Sequence, residues 1–306
     1  MVAPVPTGQR PDGLTLAAFG LNIIVAGGNA VGIKVISDEL DPFWAAALRF
    51  AAAGAIFAIL MLIARVAVPR GRALLGAATY GLLGFGAAFG LAFIAIPMTG
   101  AGLGQLLLGT VPLLTLVLAP LHGMEQFRPR AVIGSAIALV GIGVLAADRI
   151  ALDVPPLGIV LALLAALLLA EAGVVAKLTP HSDPIATNAI GMLTGVALLV
   201  PVSLLAGEQW VLPSQTDTWL AASYLVLLGS VLVFWLFIFL VRRWTASAIS
   251  FQFLLIPLAT IPFSVALTGE VVTPLMLVGG VIVLIGVYVG VFLPAASFPH
   301  RTAPLA

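Results

Sequence analysis

Along this chain apolar and polar positions alternate in long blocks, without the short periods that mark half-buried helices or strands of a soluble fold. Ten apolar blocks of about 20 residues, the length that crosses a hydrocarbon core as a helix, are separated by short linkers carrying charges, prolines and turn residues. They run roughly Leu14–Ser37, Pro42–Ala64, Ala73–Ile96, Gly100–Pro120, Arg130–Ala147, Pro155–Lys177, Pro184–Ala206, Thr218–Val241, Ala246–Thr268 and Pro274–Leu293. Asp41-Pro42 and Asp183-Pro184 read as helix starts, with Asp capping free N–H groups and Pro at the first helical position. No linker is long enough for a soluble domain.

Composition turns ten apolar blocks into ten membrane spans. Of 306 residues, 62% are hydrophobic and 8% charged, against about 25% charged in a soluble domain. So few charges cannot cover a water-facing surface, and the expected fold is an all-α membrane protein in the lipid bilayer. A net charge of +1 gives no electrostatic ground for nucleic-acid binding. The absence of cysteine excludes disulfides, thiolate metal sites and cysteine nucleophiles. No cofactor is expected. The first block lacks a small-residue cleavage site and reads as a retained helix.

Orientation follows from the 13 Lys and Arg. With the N-terminus inside, Arg10, Arg65, Arg70, Arg72, Arg128, Arg130, Lys177, Arg242, Arg243 and Arg301 fall inside. Arg149 alone falls in an outer loop, and Lys34 and Arg49 lie within or near the membrane. Cytoplasmic loops collect Lys and Arg, so both termini are expected in the cytoplasm of a bacterium, with the chain in its inner membrane.

The chain also repeats itself. At a shift of 145 residues, Pro112, Leu113, Thr115, Glu125, Pro129, Gly134, Ile137, Leu139, Gly141 and Val144 meet identical residues from Pro257 to Val289. At nearly the same shift Lys34 meets Lys177, Pro42 meets Pro184, and Thr79-Tyr80 meets Ser223-Tyr224. The chain therefore divides into two five-helix repeats, residues 1–150 and 151–306. Five is odd, so the second repeat enters the membrane inverted. Inverted repeats are the mark of secondary transporters, which place a site near the midplane between the halves. Two fused repeats also supply the pseudo-symmetry within one chain, so a monomer suffices.

The first helix reads Gly27-Gly28-Asn29-Ala30-Val31-Gly32-Ile33-Lys34, followed by Asp41-Pro42 and Ala47-Leu48-Arg49-Phe50. Later come Pro112-Leu113-Leu114-Thr115, Gly123-Met124-Glu125, Gly134 and Gly141, echoed in the second half with Gly269-Glu270. In order and duplication this resembles the EamA-type branch of the drug/metabolite transporter superfamily over the whole chain. Within the branch it is most similar to the bacterial YddG-type exporters, which export aromatic and other neutral amino acids. The resemblance implies two five-helix repeats, alternating access and a small-molecule substrate. One departure is that Met124 separates Gly123 from Glu125, where the family has adjacent Gly-Glu.

Glu171 is the candidate with most chemistry. It lies six residues, roughly 9 Å, from the inner end of its span, where a carboxylate is costly without a wet cavity or a partner. It reads either as a protonatable or ammonium-binding group or as a vestibule carboxylate bonded to backbone or water. Lys34 reads as the partner of Asp38 one turn on, or, by the resemblance, as a gating base. Arg49 reads as an anchor to the interface or to a loop carbonyl. Glu125 and Glu270 read as caps or loop anchors. The membrane amides Asn22, Asn29, Gln105, Asn188 and Gln252 are either helix–helix glue or solute ligands. Pro112 and Pro257 can bend their helices and free carbonyls. Tyr80, Phe85, Phe89, Phe93, Tyr224, Phe234, Trp235 and Phe237 cluster in the third and eighth spans, and a subset can wall an apolar pocket. The expected solute-binding set is Asn22, Asn29, Tyr80, Phe89, Gln105, Tyr224, Trp235 and Gln252. The expected coupling or gating set is Glu171, Lys34, Pro112 and Pro257.

Enzymes are disfavoured. The histidines, at 122, 181 and 300, fall in loops or the tail, and no His-Glu-x-x-His, Gly-x-Ser-x-Gly or nucleotide-binding Gly-x-x-x-x-Gly-Lys-Ser/Thr motif occurs. The expected function is a secondary transporter exporting small amphiphilic metabolites, above all neutral and aromatic amino acids. The alternatives are a multidrug or lipophilic-cation exporter with Glu171 as counter-ion, and an uncoupled facilitator.

Overall fold

A computed structural model describes residues 11–125, 128–147, 155–180, 182–268 and 273–292, with side chains at 100–103, 105–106, 145–146, 264–268, 276 and 292 left aside. Among the described residues the fold is all helical. Seven helices are long and apolar enough to span a membrane: α1 (Gly13–Ser37), α2 (Pro42–Ile63), α3 (Arg72–Thr99), α6 (Pro156–Leu178), α7 (Pro184–Ala206), α8 (Thr216–Arg243) and α9 (Ala246–Phe263). Three shorter apolar helices, α4 (Val111–Leu121), α5 (Pro129–Val144) and α10 (Leu277–Val291), fill the remaining positions. All ten fall where the hydrophobic blocks lie. The sequence breaks the chain after Ile96, whereas helical backbone continues from Phe89 through Pro97 to Leu108. It turns instead at Gly109–Thr110, just before Pro112.

The repeat is visible as geometry. In α3 the backbone widens to a π-helix at Leu82–Ala88, and in α8 at Leu227–Leu232. The two stretches begin 145 residues apart, which is the sequence shift. Helices α5 and α10 meet through glycines. A Cβ on Gly134 would lie 2.5 Å from the Gly286 carbonyl oxygen, and one on Gly141 would lie 2.8 Å from that of Gly279. Gly134 and Gly279 are counterparts, as are Gly141 and Gly286. Each glycine thus packs on the counterpart of the other, and the helices run antiparallel. That is the pairing required by a two-fold axis lying in the membrane plane. Small residues permit this backbone approach, which in lipid gives dispersion contacts the role that the hydrophobic effect plays in water.

Polar contacts gather at two ends of the bundle. At the Lys177 end, Arg243 pairs with Asp12 at 3.1 Å. Lys177 Nζ donates to the carbonyls of Val241 and Trp244, and the Ser247 N–H donates to Glu125 at 3.3 Å. At the opposite, Glu208 end, the segment joining α7 to α8 closes on the start of α2. Asp183, at the Lys177 end, caps α7 as its sequence predicts, accepting from the Ile185 N–H. Asp41 does not cap α2: its carboxylate accepts from the Gln209 N–H at 2.8 Å. Glu208 takes its place, accepting from the Phe43 and Trp44 N–H groups at 3.0 and 2.7 Å. A carboxylate suits the positive end of a helix, and here it comes from the other half of the chain. The Trp44 and Trp210 rings stack above it, centroids 4.8 Å apart.

Glu39 completes this clasp by accepting from the Ser214 and Gln215 N–H groups. Hydrogen bonds from Ser214 and then Thr218 hold its carboxyl down at about 2, from an ordinary 4.5. A lowered carboxyl contributes stability in full above its ordinary value and loses it as pH falls through the lowered one. Tryptophan fluorescence from the Trp44–Trp210 stack should therefore hold steady from neutral pH down to about 4.5 and change only on approach to about 2. Glu39→Gln should lack that late transition. A wild-type transition centred near 4.5 would mean that the clasp does not hold Glu39.

Candidate functional site

Between the halves lies a cavity of about 80 Å³ with walls from both repeats. Helix α1 contributes Asn22, Ala26 and Asn29; α3 contributes Tyr80, Gly84, Phe85 and Phe89. From the second half come Leu169, Ala172 and Gly173 of α6, Phe234 and Phe237 of α8, and Gln252 and Phe253 of α9. The two π-helical helices face each other here through aromatic rings. Phe85 meets Phe234 edge to face at 4.6 Å, and Tyr80 stacks on Phe237 at 6.3 Å. A π-turn changes which residues of a helix point inward, and such turns recur at functional sites.

Polar groups in this wall are under-satisfied. Asn22 Nδ2 donates to Gln252 Oε1 at 3.0 Å, a cross-half bond of the kind worth about 0.6 kcal/mol in membrane bundles. Yet Asn22 Oδ1, Asn29 Oδ1 and the Tyr80 hydroxyl, all buried, have no protein partner. Orphaned polar atoms in lipid-embedded protein are costly, so their collection at one cavity points to a ligand or water. Among the described residues no charged side chain lines the cavity.

Five of the eight residues expected to bind solute thus share one wall: Asn22, Asn29, Tyr80, Phe89 and Gln252. Two others do not reach it. Tyr224, the repeat counterpart of Tyr80, instead donates its hydroxyl to the Val25 carbonyl, lying over Gly28 where α1 is interrupted. Trp235 is 40% exposed on the outer face of α8, stacked on Phe239. Gln105 lies on a helix, but its side chain falls outside the described residues, as does all of Glu270. Asn188 donates to the Pro184 and Phe234 carbonyls and ties α7 to α8.

The gating candidates separate as well. Lys34 is exposed, away from the cavity, and makes no ion pair with Asp38. Pro112 is buried at the start of α4, and Pro257 is buried inside α9. Glu171 does not line the central cavity. Its Oε1 lies 3.2 Å from His122 Nε2, at the end of α4, and its Oε2 is buried without a partner. His122 is the residue that sequence reasoning passes over, because a loop histidine shows no periodicity. The other ring nitrogen, Nδ1, lies 2.9 Å from the Leu118 carbonyl. A carbonyl only accepts, so Nδ1 carries hydrogen. In a neutral ring Nε2 would then present a lone pair to a carboxylate. The contact therefore needs one further proton, on the imidazole or on Glu171.

A second cavity, of about 310 Å³, lies between α2 and α8 toward the Glu208 end, lined by Leu40, Leu48, Arg49, Trp219 and Val226 among others. The repeat maps α2 onto α7 and α8 onto α3, so its counterpart is the α7–α3 contact toward the Lys177 end. There the helices touch: a Cβ on Gly81 would lie 1.9 Å from the Gly191 carbonyl oxygen, and one on Gly195 would lie 2.6 Å from Phe85 Cβ. One member of the symmetry-related pair is parted and the other is shut. Ligand pockets start at about 300 Å³; the cleft reaches that size, and the central cavity, with room for only two or three waters, does not.

Comparison with known proteins agrees with this architecture. The chain is 29% identical to the uncharacterized inner membrane transporter YedA of Escherichia coli K12, over 83% of this chain and 82% of that protein. It is 28% identical to a probable amino-acid metabolite efflux pump of Salmonella typhimurium, over 93% and 96% of the two chains. A crystal structure sharing 19% identity superposes with a TM-score of 0.76 over 90% of this chain and 96% of its own, which speaks for the fold. Residues 14–147 and 156–292 each match the EamA-like transporter family. With both halves matched, this chain belongs to the EamA-like transporter family, and it is a multi-pass membrane transporter, not an enzyme.

Proposed function

We propose that this transporter exports small amphiphilic metabolites, chiefly neutral and aromatic amino acids, from the cytoplasm across the inner membrane by alternating access. The observation that carries the reading is the central cavity. Its unpaired Asn22 Oδ1 and Asn29 Oδ1 are acceptors for an ammonium, and the adjoining apolar α2–α8 cleft, of about 310 Å³, has room for an apolar side chain. The named activity of the Salmonella relative supports the same class. A lipophilic-cation exporter with Glu171 as counter-ion has less support, because Glu171 faces His122 and not the cavity. The alternation would consist of parting α7 from α3 while closing α2 on α8, within one chain acting alone and with both termini cytoplasmic.

Purified protein in proteoliposomes should move labelled phenylalanine and leucine down their gradients, and proton counting would separate a coupled exporter from a facilitator. Failure with every neutral amino acid, alongside brisk movement of a lipophilic cation, would replace this reading by drug export. The chain has no native cysteine, so Arg70→Cys and Thr216→Cys can report orientation. An impermeant thiol reagent should reach the first from the cytoplasmic side and the second from the outside. Labelling from one side would overturn the inverted arrangement.

A further inference from the structure

We propose that Arg49 is the carboxylate anchor of the transported solute, bound in the α2–α8 cleft; this rests on the amino-acid reading of the central cavity. Arg49 is 2% exposed, seven residues into the spanning helix α2, and the described residues place no acid within ion-pair distance of it. Its Nε donates to Ser230 Oγ and its Nη2 to the Gly229 carbonyl, both at 2.8 Å. Those acceptors are neutral and belong to the π-helical stretch of α8. The Phe50 and Phe89 rings, packed edge to face on each other, both lie against the guanidinium, their centroids 5.1 and 5.3 Å from it. Nη1 is buried and has no partner. Removing one partner from a buried charge is among the costlier states in a protein, and in lipid such residues are kept for function. Anchoring alone would leave no reason for the idle Nη1.

Position decides what that terminus can meet. Among the described residues Arg49 is the one charged residue lining the cleft, whose wall is otherwise almost wholly apolar. It also adjoins the central cavity: Phe89 belongs to that wall, and Asn29 Nδ2 shares the Gly229 carbonyl with Arg49 Nη2. An unpaired cation donor beyond Gly229 and unpaired amide acceptors before it are complementary to a zwitterion, with the carboxylate on Arg49 and the ammonium at Asn29 Oδ1. The apolar cleft takes the side chain. The ligand class is therefore a small carboxylate with an apolar body, of which neutral α-amino acids are the members that also use the central amides.

Binding of three probes by the purified transporter tests this: L-phenylalanine, L-phenylalaninamide and 3-phenylpropionate. A charge-assisted hydrogen bond is worth about 1.5–3 kcal/mol, so the wild type should bind the amide about 10- to 100-fold more weakly than phenylalanine. Arg49→Gln should reduce phenylalanine to the level of the amide while leaving the amide within about twofold. Arg49→Lys, which keeps the charge, should recover part of the difference. Equal affinity of the wild type for phenylalanine and its amide would overturn the proposal, and that arm needs no variant to fold. Equal weakening of both ligands in Arg49→Gln would also overturn it and make Arg49 a strut of the π-turn. Binding of 3-phenylpropionate without phenylalanine would keep the anchor and discard the amino-acid reading, whereas failure of both carboxylates would discard the anchor.

Discussion

Gly81→Ala is expected to be the most damaging single-methyl change in this protein. The added Cβ would lie 1.9 Å from the Gly191 oxygen and 2.3 Å from its Cα. Both are backbone atoms of α7, so no rotamer change makes room, and α3 and α7 must part. Overpacking of this kind costs about 1–3 kcal/mol, occasionally more. Because the symmetry-related α2–α8 cleft is already parted, the strain falls on the shut member and should shift the population toward the opposite arrangement. Ala77, fully buried beside Gly191, and Trp219, in the open cleft, offer reporters in a chain without cysteine. In Gly81→Ala, a cysteine replacing Ala77 should label at least about tenfold faster with a thiol reagent, and one replacing Trp219 more slowly. Unchanged labelling at both, with an unchanged melting temperature, would show that the two clefts are not coupled.

The next largest effect is expected at the His122–Glu171 contact, on the pH dependence of transport. Since Nδ1 of His122 is committed to the Leu118 carbonyl, the 3.2 Å contact holds only while a proton is shared. The other groups facing this end are Glu125, which bonds the Ser247 N–H, and Lys177, held by the Val241 and Trp244 carbonyls. Arg242 and Arg243 close α8 nearby, with Arg243 paired to Asp12. None of these replaces His122 as the partner of Glu171. Glu171→Gln should alter the pH dependence of the transport rate, and His122→Gln should alter it equally. The double variant should be no worse than either single one, as for residues acting as a unit. A wild-type profile retained in both variants, at normal rates, would leave the pair a structural tie between α4 and α6.

Much of this protein was legible without coordinates. In lipid, each backbone segment must satisfy its own hydrogen bonds, so a hydrophobic block of sufficient length is a helix whatever its neighbours do. The ten blocks, the duplication at a shift of 145 and the oddness of five fixed the number of helices and the inverted relation of the halves. The same shift reappears in the paired π-turns of α3 and α8, although no residue pattern announces a π-turn. The amides and aromatics of the cavity were nameable because polar groups in apolar blocks are few.

Pairings across the chain were decided only by the tertiary structure. Sequence gives each helix a period but not the azimuth at which it packs. Trp235 thus turned outward, while Phe234 beside it joined the cavity wall. Asp41 looked like the cap of its own helix, but Glu208, 165 residues from Phe43, reached that N-terminus. Glu171 looked unpartnered because its partner, His122, lies on another helix at an unremarkable loop position. Arg49 could be seen to need an acceptor, but not that two neutral acceptors would leave Nη1 idle between two cavities. Helix formation in a membrane is settled locally, by hydrogen bonds that run within each segment; the site is made by long-range contacts, whose geometry depends on how ten cylinders are rotated against one another.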